Sequence, residues 1–360
     1  MDNTEFSKPK DIASFAHRLL HWYNINAREM PWRIPPHDHA QGVRADPYHV
    51  WLSEVMLQQT QVATVKDYFI KFITKWPTIF DLAKSDEEDV LKAWAGLGYY
   101  SRARNLKKCA DVIMLEREGK FPQTFEELKK LPGIGDYTAS AIASIAFDQA
   151  VAVLDGNVER VMSRHQRIEA FFPEAKADTK IMLRGILDKN KPGEFAQATM
   201  DLGATICTPK RPGCSLCPIN EDCLGFANQD AELFPHKKPK AEKPTRKGAA
   251  FLIQNTKGEI FLCKRPSSGL LASMAQIPTT NWNSRHDGSS DISEAPIDSN
   301  WVNAGIAKHT FTHFHLELTV WKTAYEKKIG LAGWWCPADR LSDEALPTVM
   351  RKAIDVGLST

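Results

Sequence analysis

From about Asp11 to Phe226, apolar residues recur at three- and four-residue spacing, interrupted by short Gly, Pro and Asp punctuation. This periodicity predicts a succession of helices. The segments it marks are Asp11 to Asn24, Tyr48 to Val65, Glu87 to Ala95, Ser101 to Arg117, Thr124 to Lys130, Tyr137 to Phe147 and Val158 to Arg167, with Thr124 and Glu127 spaced as a capping box. Between Glu232 and Gly248 six cationic side chains stand among three prolines, the composition of a linker. Beyond it the period becomes two. Ala249 to Gln254 and Glu259 to Lys264 flank Asn255-Thr256-Lys257-Gly258, a hairpin signal, and Thr310 to Trp321 alternates like a strand. Asn283 to Asp298 is polar, rich in Ser and Asp, and reads as a mobile loop. The expected organisation is an all-α domain over 11–231, a basic linker over 232–248 and a smaller α+β domain over 249–360.

Composition supports this division. The chain of 360 residues is 43% apolar and 25% charged, enough for a core in each of two domains. No apolar run approaches the roughly 18 residues of a membrane span, and Met1 to Lys10 lacks the apolar stretch of a secretory signal. The net charge of +2 is too small for a global field to recruit nucleic acid, so any such surface must be local.

Four cysteines, Cys207, Cys214, Cys217 and Cys223, occur in one short stretch with the spacing Cys-x6-Cys-x2-Cys-x5-Cys. A structural zinc site usually draws its thiolates as two separated Cys-x2-Cys knuckles, whereas one such pair flanked by single cysteines suits a cubane iron-sulfur cluster, with zinc as the alternative. Cys109, Cys263 and Cys336 are scattered, unlike a secreted disulfide framework, and the chain reads as intracellular.

Three further features carry chemistry. Leu131-Pro132-Gly133-Ile134-Gly135 joins two predicted helices; Gly133 and Gly135 permit a tight turn, by one reading a plain helix-helix connection and by another a cradle whose amides hold a phosphate at a helix N-terminus. On the predicted helix Tyr48 to Val65, Glu54 and Gln58 fall on the apolar stripe, where a carboxylate is either paired or used, and desolvation favours its protonated form. Asp155, in Asp155-Gly156-Asn157 at the head of a helix, is an ordinary N-cap by one reading; by another, the helix N-terminus keeps it anionic beside a developing cation. One proton-loaded and one charged carboxylate are the apparatus for cleaving a glycosidic bond.

Pro31-Trp32-Arg33, Trp51-x-Ser53-Glu54-Val55-Met56-Leu57-Gln58-Gln59-Thr60-Gln61, Gly96-Leu97-Gly98-Tyr99-Tyr100, the Gly133 turn, Asp155-Gly156-Asn157 and the four cysteines together resemble the MutY-type adenine DNA glycosylases of the helix-hairpin-helix superfamily. The resemblance implies removal of adenine mispaired with 8-oxoguanine or guanine, after flipping of the nucleotide. It assigns Glu54 as general acid and then base, Asp155 as stabiliser of the sugar cation, and Tyr137 and Asn157 as their supports. Trp32, Arg33 and Asp201 would line the adenine pocket, Asp201 standing where a glutamate is common. Gln59 and Thr60 would fill the gap in the stack, with Leu97 as wedge, and Gln58 would also contact DNA. Gly133 and Gly135 would hold backbone phosphate, and the four cysteines a 4Fe-4S cluster whose ligation fixes Lys210 and Arg211. The endonuclease III branch has lysine where Tyr137 stands, so little strand cleavage is expected. The C-terminal domain is similar to a Nudix-like module, without the hydrolase signature, and Phe311-Thr312-His313 would contact the lesion strand. Met274-Ala275-Gln276-Ile277-Pro278 departs from the family pattern, and the insertion Ile34 to Ala45 is expected to be a surface loop. The implied partner is duplex DNA, met by a monomeric cytoplasmic protein at the nucleoid.

Overall fold

The computed structural model describes residues 12–238 and 242–359. The chain forms two compact units: one comprises Met1–Ala83 and Lys108–Pro239, the other Lys84–Lys107 and Lys240–Thr360. The segment 84–107, helical in its periodicity and expected within the all-α domain, thus groups with the C-terminal sheet. Within that second unit Arg104 Nη1 donates to the Ala272 carbonyl at 2.7 Å and Lys264 Nζ to Glu88 at 2.6 Å.

The helices are α1 (Ile12–Asn26), α2 (Pro36–Ala40), α3 (Pro47–Leu57), α4 (Val62–Lys75), α5 (Ile79–Lys84), α6 (Glu87–Ala93), α7 (Ser101–Arg117), α8 (Phe125–Leu128), α9 (Asp136–Phe147), α10 (Gly156–His165), α11 (Lys176–Ile186), α12 (Pro192–Thr205), α13 (Leu224–Ala227) and α14 (Thr348–Leu358). In the first unit α12 is the central element. It packs on α1, α9 and α10, and every residue from Pro192 to Gly203 is buried. Thr124 accepts the Glu127 amide as expected, but the Glu127 carboxylate turns to Arg117 and Lys130, so the capping box is half made.

Two sequence expectations are corrected here. The single helix over Tyr48 to Val65 is two, α3 and α4, because Gln59 takes a left-handed φ of 57° and Gln61 is extended. No glycine or proline announces this break, and a glutamine in that conformation is strained. The stretch Ile34 to Ala45 is not merely loop: it contains α2, opened by Pro36.

In the second unit, among the described residues, β1 (Thr245–Gln254), β2 (Ile260–Lys264), β3 (Ala275–Gln276), β4 (Val302–Thr310), β5 (His315–Ala324) and β6 (Trp334–Cys336) form one sheet of order β3-β2-β1-β5-β4, with β6 on β2. β1 runs parallel to β5, and the other pairs are antiparallel. The β1–β2 turn at Asn255 to Gly258 is as expected, Gly258 supplying φ 78°. Leu252, Leu318, Val320 and Ile354 of α14 share one core, with Met274 and Ile277 fully buried beside it. The polar stretch Asn283 to Asp298 lacks strands and helices but is laced by side-chain bonds, among them Arg285 N and His286 N to Asn283 Oδ1 and Trp321 Nε1 to the Ser290 carbonyl.

Candidate active site

Glu54 lies near the C-terminal end of α3 and is only 6% exposed. Tyr137, in the first turn of α9, donates its hydroxyl to Glu54 Oε2 at 2.6 Å. Burial pushes the Glu54 carboxyl up to about 7, against the Tyr137 bond, which lowers it; the Asp155 charge raises it and the Arg33 charge lowers it. Tyr137 is pushed well above its ordinary value, first by burial and then by the two carboxylates, so it stays a neutral hydrogen-bond donor throughout the physiological range.

Asp155 caps α10. Its Oδ1 accepts from Val158 N at 2.7 Å and its Oδ2 from Asn157 Nδ2 at 3.0 Å. The cap is as expected, but the electrostatic outcome is finer: burial raises this carboxyl, while the donors at Val158 and Asn157 and the Arg160 charge oppose it. The helix N-terminus therefore moderates a desolvated group. With Asp155 charged, Glu54 is raised further, and as the carboxyl with fewer donors it is the one that retains a proton.

Asn157 is held in turn. Arg160 Nη2 donates to Asn157 Oδ1 at 2.8 Å and to the Gly203 carbonyl at 2.6 Å, while its Nε reaches the Cys207 carbonyl at 2.7 Å. A Cβ at Gly203 would stand 2.7 Å from Asn157 Cβ, so only glycine lets α12 approach α10 this closely. Neither Arg160 nor Gly203 was legible as part of a site, since nothing in the local pattern distinguishes them from ordinary helix residues.

Glu54, Tyr137, Asp155 and Asn157 line a cavity of about 680 Å³, together with Trp32, Arg33, Gln58, Gln59 and Thr60. The α3–α4 break thus brings three expected contact residues to the cavity, with Gln58 Nε2 donating to Thr138 Oγ1 at 3.3 Å. Arg28 and Gln197 also line it and were not anticipated. The available signal was a glutamine set between Ala196 and Ala198 on α12, since a buried polar residue is more informative than a buried apolar one. Gln197 gives its amide to the Gly193 carbonyl at 3.3 Å.

Asp201 is a correction. It is absent from the cavity lining and wholly buried, with Arg28 and Arg33 both bound to it. Leu97 is a packed side chain at 5% exposure. At the predicted phosphate cradle, Gly133 adopts φ 74° and Gly135 is the extended N-cap of α9, with Leu131 and Ile134 buried beneath. Within the second unit Phe311, Thr312 and His313 occupy the β4–β5 turn instead of continuing a strand. Phe311 stacks on Phe314 at 4.6 Å, and Thr312 Oγ1 lies 2.8 Å from Tyr99 Oη.

The four cysteines are unpaired and part-buried. Arg164 of α10 organises their loop: its guanidinium donates to Cys207 Sγ at 3.4 Å and to the carbonyls of Thr208 and Pro209, while Cys223 Sγ approaches the Arg164 carbonyl at 3.7 Å. Burial pushes the Cys217 thiol to about 12 and the Cys223 thiol to about 11, and the neighbouring thiolates push the same way. Thiolates so placed are stable only against a cationic partner. Among the described residues no three or more His, Cys, Asp or Glu side chains converge on one ion. The all-sulfur donor set fits a thiophilic centre, a cubane cluster or a zinc ion. Lys210 and Arg211 are exposed in this loop, and Arg211 N is bound by Glu232 at 2.7 Å.

Residues 52–185 match the HhH-GPD superfamily base excision DNA repair protein family, and residues 249–356 match the NUDIX domain family. The chain is 34% identical, over 98% of its length and 75% of the relative's, to the adenine DNA glycosylase of Homo sapiens. It is 33% identical, over 96% of its length and 99% of the relative's, to the adenine DNA glycosylase of Buchnera aphidicola subsp. Schizaphis graminum (strain Sg). Among solved structures, a thermostable thymine-DNA glycosylase superposes on 60% of this chain and 97% of its own with a TM-score of 0.52 and 26% identity.

Proposed function

Since the chain belongs to the adenine DNA glycosylase family, base excision repair enzymes that hydrolyse N-glycosyl bonds, we propose that its substrate is duplex DNA in which adenine lies opposite 8-oxoguanine or guanine. The observation that carries the mechanism is the Glu54 carboxyl, bound by Tyr137 at 2.6 Å and pushed by burial to about 7.

In this reading the flipped adenine enters the cavity and Glu54 gives its proton to N7. The bond from N9 to the sugar then breaks with its electron pair on the base, which departs neutral. The positive charge left on the sugar ring is met by Asp155, anionic and steadied by Asn157 and the α10 amide of Val158. Glu54, now a carboxylate, takes a proton from the water that adds to the sugar carbon. Tyr137 is a phenol and forms no imine with the abasic product, so strand cleavage is slight.

Trp32 and Arg33 serve as base contacts. Gln197 joins them: its amide nitrogen is committed to Gly193, leaving its carbonyl for the exocyclic amine of adenine. Asp201 acts behind them. Gln58, Gln59 and Thr60 line the mouth, where the duplex opens. Gly133 and Gly135 hold a phosphate without reading sequence, and the turn Phe311-Thr312-His313 meets the lesion strand. When bound by Cys207, Cys214, Cys217 and Cys223, a 4Fe-4S cluster would neutralise the thiolates and fix this loop. No helix among the described residues is long and apolar enough to cross a membrane, and we assign a monomer associated with the nucleoid.

The test is a set of duplexes bearing A opposite 8-oxoguanine, A opposite G, T opposite G, U opposite G, or thymine glycol, developed with and without alkali. Alkali-dependent cutting confined to the adenine strand is the expected result. Cutting of the T, U or thymine glycol strand, or cutting without alkali, overturns the assignment.

A further inference from the structure

Asp201 is a buried charged group that takes no direct part in the proposed chemistry. Asp201 is fully buried on α12, and its two oxygens are saturated. Oδ2 accepts the Arg28 backbone N–H at 3.0 Å, Oδ1 accepts Arg28 Nε at 2.6 Å and lies 2.6 Å from Arg28 Nη2, and Arg33 Nη1 spans both oxygens at 2.9 and 2.8 Å. One carboxylate therefore pins both ends of the strap 28–33, which carries Met30 and Trp32 into the cavity lining. Two guanidiniums share this one carboxylate while the strap's Glu29 is exposed to solvent, so Asp201 leaves part of the Arg28 and Arg33 charge uncancelled.

That charge bears on the cavity. The groups that act on Glu54 are Tyr137 from α9, Asp155 from the cap of α10 and Arg33 from the strap. Around the strap stand Tyr23 of α1 and Glu194 of α12. Tyr23 and Tyr137 both stay neutral near pH 7, burial holding Tyr23 at about 12. The strap thus presents Arg28 and Arg33 to a cavity whose other charged lining groups are Glu54, Asp155 and the paired Glu159 and Lys176, and the strength of the Arg33 charge depends on how much of it Asp201 cancels.

We propose that Asp201 is a positioning residue which, by pinning and partly neutralising Arg33, fixes the positive charge that acts on the Glu54 carboxyl, and that this pair sets the pH range over which the cavity works. The proposal rests on Glu54 being the acid of the reaction. It differs from a base-contacting role for Asp201, which leaves the pH range untouched and changes only substrate affinity.

The experiment is single-turnover excision of adenine opposite 8-oxoguanine across roughly pH 5 to 9. Wild type is compared with Arg33→Gln, Arg33→Lys, Asp201→Asn and the double variant Arg33→Gln/Asp201→Asn, each checked for folding by thermal melting. Arg33→Gln removes a cation, so Glu54 keeps its proton longer and the alkaline fall of rate moves up by roughly half a pH unit or more. Asp201→Asn removes an anion and moves the fall down, the double variant returns it close to wild type, and Arg33→Lys leaves it in place. Unmoved profiles in Arg33→Gln and Asp201→Asn, or shifts of the same sign in both, overturn the proposal. If Asp201→Asn fails to fold, Arg33→Gln against Arg33→Lys decides alone: equal profiles overturn it. Glu54→Gln is the separating control, because activity in that variant removes the acid assignment itself, whereas an inactive Glu54→Gln with unmoved Arg33 and Asp201 profiles removes only this inference.

Discussion

Replacing Glu54 by Gln should stop excision and at the same time stabilise the folded protein at alkaline pH. The carboxyl is held at about 7 in the fold, against an ordinary 4.5. Between those values the native state binds more protons than the unfolded chain, so stability falls as pH rises through the window and levels off above it. At roughly 1.4 kcal/mol per pH unit the full displacement amounts to about 3 kcal/mol. Glutamine has the shape of the protonated acid, its carbonyl can still accept the Tyr137 hydroxyl, and it never charges. The variant should therefore match wild type near pH 4.5 and exceed it by up to about 3 kcal/mol above pH 7. That corresponds to a rise in Tm of about 6–12 °C for a domain of this size. Differential scanning calorimetry of both proteins across pH isolates the term, because every other titrating group is common to the pair. A Tm difference that does not depend on pH, or that favours wild type above neutrality, would refute a buried, proton-loaded carboxyl at this position.

Asp155→Asn keeps a side chain that caps α10 nearly as well, so unfolding free energy should change by less than about 1 kcal/mol while the excision rate falls at least about a hundredfold; melting and single-turnover kinetics measure the two. Tyr137→Phe removes a bond that lowers the Glu54 carboxyl, so the alkaline fall of excision should shift upward in a pH–rate profile. Tyr137→Lys should introduce an adduct trapped by borohydride and visible on a denaturing gel, absent in wild type. Arg160→Gln leaves the carbonyls of Gly203 and Cys207 without their donor, at a cost of about 1–3 kcal/mol for each buried group; both Tm and excision should drop. Cys214→Ser should reduce the iron content of purified protein, read by absorbance and metal analysis, and lower its Tm.

Features that the sequence determined by itself are those whose cause is local. Helical and strand periods, the Asn255 to Gly258 turn, the Asp155 cap, the left-handed Gly133 and the cysteine spacing all follow from residues within a few positions of one another, where backbone sterics and short hydrogen bonds decide the outcome. Glu54 was conspicuous for the same reason, a carboxylate on an apolar stripe. Tertiary structure decided the rest, because desolvation and charge are collective quantities. Tyr137 meets Glu54 across 83 positions, and Arg33 meets Asp201 across 168, so no local pattern could show that Asp201 is spent on two arginines instead of facing the cavity. The break at Gln59 is likewise a non-glycine residue held in a costly conformation, which short-range preference argues against and only the surrounding packing sustains. The allocation of 84–107 to the unit of the C-terminal sheet rests on bonds such as Arg104 to Ala272, 168 positions apart, and periodicity says nothing about which core a helix joins.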